Sequence, residues 1–378
     1  MVKLARPALR PSLRKMTTPS APQRVPLRLI AEKAGVSRMT VSLALRDHLT
    51  IAATTRKRIQ RIAQSLGYRP DPVVSEALST LRRSAYRRNN PILAYITHGP
   101  RPDTWMDSFT QRQYYKGAVD RANEMGFEVQ MFTRLLGGVS DRRLSQILYN
   151  RGIRGLIIAP MPYSRAGERI DFEWQNFAPV FQGYSVHRPE LHRAVANHFQ
   201  IAYDLYVKLA ALGYERIGLA VPLEQDRRTH TKWRGGWLGA QDELGHSRLP
   251  AYLPEKWSRE SFLRWFELAR PDVVIGIGDP VIPWIESTGL RVPRDVGYAS
   301  LDLTDETSAA KVSGMNQFSE AVGRAVVDLT VATVHRGEWG VPEHPKIIQI
   351  NGAWVAGRTT RSLLRSKSRR TVSTPPAA

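Results

Sequence analysis

Near its amino end the chain reads Ile30-Ala-Glu-Lys-Ala-Gly-Val-Ser37, and this stretch decides the fold of the region around it. Apolar residues recur here at the spacing of one helix face: Leu27, Ile30, Ala31 and Ala34. Gly35 supplies the left-handed backbone on which helices commonly end. Ser37 can then cap a second helix, predicted over residues 38–45. The stretch therefore predicts two short helices joined by a tight turn.

A third helix is predicted downstream, from a cap at Thr54 or Thr55 to Gly67. Its apolar face would consist of Ile59, Ile62, Ala63 and Leu66. Helices this short are not stable alone, but three of them can bury a small shared core. The amino-terminal region is therefore predicted to be a compact helical head.

The positive charge of the chain is concentrated at its two ends. Of the net charge of +21, residues 1–90 contribute 19 Lys and Arg against four acidic residues, and residues 358–378 contribute six basic residues and no acidic one. The middle of the chain is neutral. A basic head suits a phosphate backbone, because each neutralised phosphate releases counterions. Charge alone leaves two alternatives open: a role in solubility, or contact with an anionic membrane surface.

Several classes of protein are excluded or disfavoured by what the sequence lacks. It has no Cys, which removes disulfides, thiolate nucleophiles and Cys-based zinc sites. It has no apolar run of about 18 residues, so neither a membrane-spanning helix nor a secretory leader is expected. The protein is therefore expected to be cytoplasmic and associated with the nucleoid. His187, His192 and His198 lack the spacing of metal ligands, which favours solvated or capping roles. No nucleophile elbow or complete dinucleotide fingerprint occurs, so no catalytic residue, metal or cofactor is predicted.

The head motif resembles the amino-terminal domain of the LacI/GalR family of bacterial transcription repressors. The resemblance rests on the opening stretch, on Thr40-Val-Ser42 and on Leu66-Gly-Tyr-Arg-Pro70, in the order in which the family has them. In that family the second helix enters the major groove of DNA. The resemblance implies a DNA-contacting set in which Arg38 and Met39 read bases and the others hold phosphates, cap the helix or lie nearby: Ser37, Thr40, Ser42, Tyr68 and Arg69.

Two features of the head limit what the resemblance implies. Position 43, where the family often has a guanine-reading Arg, is Leu, so no operator sequence can be transferred. A plain three-helix bundle for protein contacts stays open as an alternative.

Residues 71–81 resemble the hinge helix of the same family. Asp71 can cap a helix and Pro72 suits its first position. The family wedges a Leu side chain into the minor groove at this point, which kinks the duplex. Ala77 stands in that place here and Leu78 follows it, so either the wedge moves to Leu78 or the DNA is bent less. An ordinary linker helix is the alternative.

The rest of the chain, residues 91–357, alternates short apolar segments with amphipathic ones. Strands are predicted at 92–97, 127–132, 155–159, 180–183, 217–221 and 273–277, and helices at 111–125, 144–151, 201–212, 233–244 and 260–269. Strands that are apolar on both faces are typical of buried parallel sheets. The fold class predicted for the whole chain is a small all-α helix-turn-helix head plus an α/β doubly wound sensor domain of two lobes.

Three short motifs in this region resemble the family's sensor domain, which is related to periplasmic sugar-binding proteins. They are Ala211-Leu-Gly-Tyr-Glu-Arg-Ile217, Gly235-Gly-Trp237, and Arg291-Val-Pro-Arg-Asp-Val296 leading to Leu301-Asp302. The resemblance implies an effector bound between the lobes, at the carboxyl ends of the strands.

The effector-binding set that this resemblance implies is Tyr184, Trp233, Arg234, Asp279 and Asp302. Asp302 aligns with a family carboxylate that accepts hydrogen bonds from sugar hydroxyls. Trp233 stands where the family often has an effector-binding Arg, with Lys232 and Arg234 beside it. A Trp platform with a carboxylate still suits a sugar, whose C–H face stacks on an aromatic ring.

The chain is thus predicted to have five parts: a disordered basic tail (1–24), a helix-turn-helix DNA-binding domain (25–69), a hinge helix and linker (70–90), an effector-binding and dimerisation domain (91–357), and a second disordered basic tail (358–378). The first lobe of the large domain is predicted at 91–196 plus 316–338, and the second at 197–315 plus 339–357.

The predicted function is that of a sequence-specific transcriptional repressor. Its partners would be double-stranded operator DNA, a sugar-like effector and a second copy of the chain, with no membrane. Two rivals are an intracellular sugar-binding protein and a sugar-modifying enzyme, both without DNA activity. The first leaves the head unexplained, and the second lacks a catalytic constellation.

Overall fold

The computed structural model describes residues 25–45, 50–68, 90–134, 136–161, 168–185, 188–278, 281–304 and 311–364. The chain forms two compact units, Met1–Thr80 and Leu81–Ala378. Several predictions fall outside the described residues. They concern the tail 1–24, the hinge helix with Ala77 and Leu78, and the single residues Arg69 and Asp279. Among the described helices, none combines the length and apolarity needed to cross a bilayer.

The described residues of the first unit form three helices, α1 (Leu27–Ala34), α2 (Arg38–Ala44) and α3 (Ala53–Ser65). Gly35 follows α1 with a φ of 64°, the left-handed conformation that ends the helix. The core that the three helices share is formed by Ile30, Ala31, Ala34, Val41, Ala44, Ile59 and Ala63. This confirms the predicted helical head.

The predicted start of α3 was wrong. The helix begins at Ala53, so Thr54 and Thr55 lie inside its first turn and neither occupies the capping position. Ala52 stands at that position and has no side-chain oxygen, so the first amides of the helix are left without a side-chain acceptor from the capping residue.

The first lobe of the second unit is built on a six-stranded sheet. Its strands are β1 (Ile92–His98), β2 (Glu128–Arg134), β3 (Gly155–Ile158), β4 (Ala178–Gln182), β5 (His192–Ala196) and β10 (Ile347–Ile350). They lie in the order β10-β5-β4-β3-β1-β2, and every neighbouring pair is parallel. The helices of this lobe are α4 (Phe109–Glu124), α5 (Asp141–Asn150) and α11 (Ser319–Arg336). The predicted parallel, helix-covered sheet is confirmed.

The second lobe has a five-stranded sheet with one antiparallel edge. Its strands are β6 (Ile217–Ala220), β7 (Val273–Gly276), β8 (Gly297–Ser300), β9 (Ser313–Asn316) and β11 (Ala353–Val355), in the order β11-β9-β8-β7-β6. Among these described strands, only the β11–β9 pair is antiparallel. The described residues of this lobe include the helices α6 (His198–Ala211), α7 (Leu223–Arg228), α8 (Lys232–Glu243), α9 (Arg259–Ala269) and α10 (Val281–Glu286).

The chain passes between the two lobes three times: from β5 to α6, from β9 to α11, and from β10 to β11. Two of these passages are tied together, because Asn197 Nδ2 donates a hydrogen bond to Asn351 Oδ1 at 2.9 Å. The third passage differs from the sequence prediction, which gave residues 339–357 entirely to the second lobe. Ile347–Ile350 extends the first sheet instead, where it pairs with β5 along its length.

The predicted disorder of residues 358–378 was wrong for its first part. Ser313 N donates to Thr359 Oγ1 at 2.9 Å, and Thr359 Oγ1 donates to the carbonyl oxygen of Tyr298 at 2.7 Å. Leu363 N donates to the carbonyl oxygen of Leu212 at 2.7 Å. The composition predicted disorder because this segment has few apolar residues. Hydrogen bonds of Thr side chains and of the backbone hold it in place instead. Residues 365–378 lie outside the described residues.

Candidate functional site

The exposed amino end of α2 is the first candidate site. Ser37 Oγ accepts a hydrogen bond from Thr40 N at 3.0 Å and lies 2.9 Å from Thr40 Oγ1, which forms the predicted cap. Arg38 and Met39 point into solvent, and the Met39 side chain is 70% exposed. Both side chains are therefore free of contacts that would hold them against the core of the head.

The opposite side of α2 is fixed to the rest of the head. Val41 and Ala44 are completely buried. Gln60 Nε2 of α3 donates to the carbonyl oxygen of Ala44 at 3.2 Å. Ser42 is partly exposed, and Tyr68 packs against the edge of the core. Because one face is fixed, the amino-terminal turn of α2 is held outward on a rigid support.

The second candidate site is a cleft between the two lobes, with an empty volume of about 550 Å³ including its mouth. The first lobe lines it with Ser108, Thr110, Gln111, Tyr114, Pro160, Gly183, Tyr184 and Ser185. The second lobe adds His198, Arg228, Thr229, Trp233, Asp302 and Gln317. Pro160, Gly183 and Asp302 come just after β3, β4 and β8, so the cleft lies at the carboxyl ends of strands, where doubly wound sheets bind ligands.

Three of the five predicted effector residues, Tyr184, Trp233 and Asp302, line the cleft. Arg234 is not among the lining residues; its Nη2 lies 3.2 Å from Oδ2 of the fully buried Asp226. The reason is helical geometry, because neighbouring residues on α8 face different directions and only Trp233 faces the cleft. Arg234 therefore joins α8 to α7 through an ion pair.

His198 forms part of an aromatic wall in the cleft, and its predicted solvated or capping role was wrong. Its ring centroid lies 5.1 Å from that of Trp233 and 5.8 Å from that of Tyr184. Burial lowers the pKa of His198 to about 3, and the nearby cations Arg228 and Lys232 act in the same direction. The ring is therefore neutral at physiological pH, and its Nδ1 has no hydrogen-bond partner among the described residues.

His192 also lies inside the protein instead of in solvent. It belongs to β5, and its Nδ1 accepts a hydrogen bond from Lys346 N at 2.9 Å. His187 lies outside the described residues. In the part of the chain that the structure describes, no three His, Cys, Asp or Glu residues are grouped as metal ligands would be.

Asp302 supplies a carboxylate to the cleft. Burial raises the pKa of Asp302 to about 6, although the Arg228 cation and a hydrogen bond with Thr110 oppose that rise. The group is therefore mostly ionised at pH 7 and can accept hydrogen bonds from hydroxyl groups.

Sequence reasoning missed Arg228. It is the last residue of α7 and lines the cleft, five positions before the place where the family's effector-binding Arg was sought. The only signal was the presence of basic residues upstream of Trp233, and nothing in the pattern showed which of them faces inward. The other missed residues include three side chains of α4, Thr110, Gln111 and Tyr114, because the sequence pattern predicted a helix there but not which of its residues face the cleft.

Two family models match the chain. The model described as bacterial regulatory proteins of the lacI family matches residues 27–71, and the model described as a periplasmic binding protein-like domain matches residues 207–360. The first covers the three helices of the head. The second covers most of the second lobe together with α11 and β10.

Individual relatives agree with these models. The HTH-type transcriptional repressor CytR of Escherichia coli strain K12 is 22% identical over 292 residues, which span 73% of this chain and 80% of CytR. A solved complex of the transcriptional regulator CelR with cellobiose aligns with a TM-score of 0.54 at 19% identity, over 89% of this chain and 100% of that one. A lac repressor dimer bound to operator and the anti-inducer ONPF aligns with a TM-score of 0.52 at 21% identity, over 90% and 100%. These two structures show a shared fold.

Proposed function

Because the chain belongs to the LacI/GalR family of DNA-binding transcription regulators, which are not enzymes, we propose that it is a repressor controlled by a small sugar-like effector. Two copies of the chain would bind a near-palindromic operator through their heads. The effector would bind in the cleft and change the affinity for DNA, whether by releasing the operator or by strengthening its binding.

One observation carries the DNA-binding half of this proposal. The amino-terminal turn of α2 presents Arg38 and Met39 to solvent, while Val41 and Ala44 anchor the other side of the helix. A recognition helix needs this arrangement, because side chains at its amino end must reach base edges without disturbing the core. Ser37, Thr40, Ser42, Tyr68 and Arg69 would surround this contact. Leu78 would supply the minor-groove wedge, or else the DNA would be bent less because Ala77 stands in the usual wedge position.

The effector half rests on the cleft. Tyr184 and Trp233 offer aromatic faces and Asp302 a hydrogen-bond acceptor, which together suit a hydroxylated ring. The CelR structure contains cellobiose, a sugar of that kind. Asp279 is proposed as a further contact. We propose residues 25–69 as the DNA-binding domain, 70–90 as the hinge and 91–364 as the sensor and dimerisation domain.

A gel-shift titration of the full chain against its own upstream DNA tests the proposal. Arg38→Ala should weaken specific operator binding by about 1–3 kcal/mol, or roughly 5-fold to 150-fold, because it removes a base contact. Arg264→Ala is the matched control, since it removes the same side chain from an exposed site in the second lobe. The control should bind operator like the wild type.

Failure of the wild-type chain to bind any upstream fragment at low salt would remove the repressor assignment. Loss of folding in Arg38→Ala, measured by circular dichroism, would instead mean that this side chain supports the head. A sugar-binding protein without DNA activity would respond to sugars in a thermal-shift screen and fail the gel shift.

A further inference from the structure

Arg228 is a cation that faces the cleft without a partner among the described residues. No hydrogen bond or ion pair joins its guanidinium to any residue that the structure describes, and its Nε is buried and unpartnered. Arg234 shows the contrast, because it is paired with Asp226. Burying part of a charged group without a counter-ion is costly, so an anion that enters the cleft would be stabilised by this side chain.

The surroundings of Arg228 carry more positive charge. Lys232 Nζ lies 5.1 Å from the ring centroid of Tyr184, and the Arg193 guanidinium lies 5.7 Å from the same ring. Two cations therefore flank one aromatic wall of the cleft, and Arg228 is a third. Asp302 is within electrostatic range of Arg228, but no ion pair joins these two described residues. Among the described residues that line the cleft, Asp302 is the only carboxylate.

The cleft also has a surplus of hydrogen-bond donors. Trp233 is only 1% exposed, and its Nε1, which can only donate, has no partner among the described residues. A buried donor without an acceptor costs free energy unless a ligand completes it. The guanidinium of Arg228 and this indole N–H are both hydrogen-bond donors, so a ligand group with several acceptor oxygens would complement them.

We propose that the effector carries an oxyanion group, a carboxylate or a phosphate, which is bound by Arg228 and Trp233 Nε1 in the cleft. The hydroxyl-bearing part of the same ligand contacts Asp302, and Tyr184 packs on its ring. Arg228 can bind either oxyanion through two parallel hydrogen bonds. This inference rests on the proposed function, because it names the ligand class of the same cleft.

Thermal unfolding of the full chain, followed with added inorganic phosphate and separately with acetate, tests the inference. Sodium chloride at the same ionic strength is the reference in each case, since salt alone changes stability. We expect at least one of the two anions to raise the Tm of the wild type above that reference. Phosphate alone would indicate a phosphorylated ligand, and acetate alone or with phosphate a carboxylate.

Variants assign the effect to the cleft. Arg228→Gln should weaken anion affinity by at least about tenfold, because it removes charge-assisted hydrogen bonds. Arg227→Gln is the matched control, since it removes the same charge from the exposed neighbouring position on α7 and should respond like the wild type. Trp233→Phe removes one donor and keeps an aromatic ring, so it provides a second test if Arg228→Gln does not fold.

The inference is overturned if neither anion stabilises the wild type beyond chloride, or if all of the folded variants respond equally. Its failure can be told apart from that of the proposed function by the gel shift. A chain that binds operator but ignores anions would refute the ligand class alone. A chain that responds to anions through Arg228 but never binds DNA would refute the repressor assignment alone.

Discussion

Two titratable residues of the cleft have pKa values that move in opposite directions for one reason. Burial lowers the pKa of His198 to about 3 and raises that of Asp302 to about 6. In both cases it disfavours the charged form, which is the imidazolium for one residue and the carboxylate for the other. Each shift therefore makes the free energy of unfolding depend on pH, but with opposite sign.

For His198 we expect stability to be lost on acidification. The contribution of His198 to the free energy of unfolding is fully present above the ordinary pKa of 6.5 and is lost as pH falls toward 3. In that range the imidazole binds a proton in the unfolded chain but not in the folded chain. His198→Gln cannot titrate at this position. Its free energy of unfolding, relative to that of the wild type, should therefore rise by a few kcal/mol between pH 7 and pH ~4. Urea unfolding at both pH values measures this difference.

Asp302→Asn is the matched comparison for that experiment. The folded pKa of Asp302 exceeds its ordinary value of 3.8, so the ionised carboxylate costs stability above pH 6 and that cost disappears as pH falls to 3.8. The Asn variant should therefore gain on the wild type at pH 7 and lose that advantage under acid. Parallel profiles for wild type and His198→Gln would contradict the assignment of a buried neutral ring.

The effector set illustrates what sequence could predict at single positions. Tyr184, Trp233 and Asp302 follow strands or open a helix at motifs with a known place in the fold, and the structure brings them together. His198 was misjudged because an isolated His at the start of a helix reads as polar surface. Arg228 was missed because only tertiary packing decides which of several adjacent cations faces inward. The roles of these residues in binding stay predictions.

At the scale of elements, pairs of helices are held together at glycines. A Cβ at Gly236 of α8 would stand 2.1 Å from the carbonyl oxygen of Phe199 in α6, and one at Gly323 of α11 would stand 2.1 Å from that of Tyr114 in α4. Both distances are far below van der Waals contact. These two helix pairs therefore pack backbone against backbone, and only glycine permits the approach.

Gly236→Ala should destabilise the second unit by about 1–3 kcal/mol or more, because the new methyl group forces α8 away from α6. Gly239→Ala on the same helix is the matched control. Its Cβ would meet only the ring edge of Phe199 at 3.6 Å, so the better helix propensity of Ala should stabilise by about 0.5–1 kcal/mol. Denaturant unfolding of the two variants should give changes of opposite sign. Equal changes would mean that α6 and α8 are not closely packed.

Most helices and strands could be predicted from the sequence because their apolar residues recur at clear periods. β5 (His192–Ala196) was missed because it begins with His and Arg, yet every one of its five residues is buried. The reason is that β5 lies between β4 and β10, and the Arg193 guanidinium lies 5.6 Å from the ring of Phe181. Contacts with aromatic rings and with neighbouring strands bury these polar residues, whereas the hydrophobic pattern of the sequence predicts a loop there.

At the scale of the whole sensor unit, the cleft lies between two lobes that are joined by three passages of the chain. His198 and Gln317 stand beside two of these passages and also line the cleft. A ligand that contacts both lobes would bias their closure, which is the differential binding that any coupling to DNA affinity requires. The hydrogen bond between Asn197 and Asn351 links two of the passages, so they are expected to shift together.

The carboxyl-terminal segment joins this unit, and two truncations separate its parts. Removal of residues 358–378 should destabilise the sensor by about 2–4 kcal/mol, since it deletes the bonds of Thr359 to Ser313 and Tyr298 and the bond of Arg361 Nη2 to the carbonyl oxygen of Arg294 at 2.7 Å. Removal of residues 365–378 should leave the free energy of unfolding unchanged. Differential scanning calorimetry measures both.

The shorter truncation should act on DNA binding instead of stability. It removes four Lys and Arg and no acidic residue, so it can only lower the charge that the chain brings to a phosphate backbone. If those cations bind DNA, the truncated chain should have a lower nonspecific affinity for DNA. The slope of the logarithm of the binding constant against the logarithm of the salt concentration should become shallower by about 0.9 for each phosphate that is no longer neutralised. The base-reading turn of α2 should be unaffected. Titrations at several salt concentrations measure that slope. A drop in thermal stability in this variant would contradict the division at residue 364, because the stabilising interactions would then extend further along the chain.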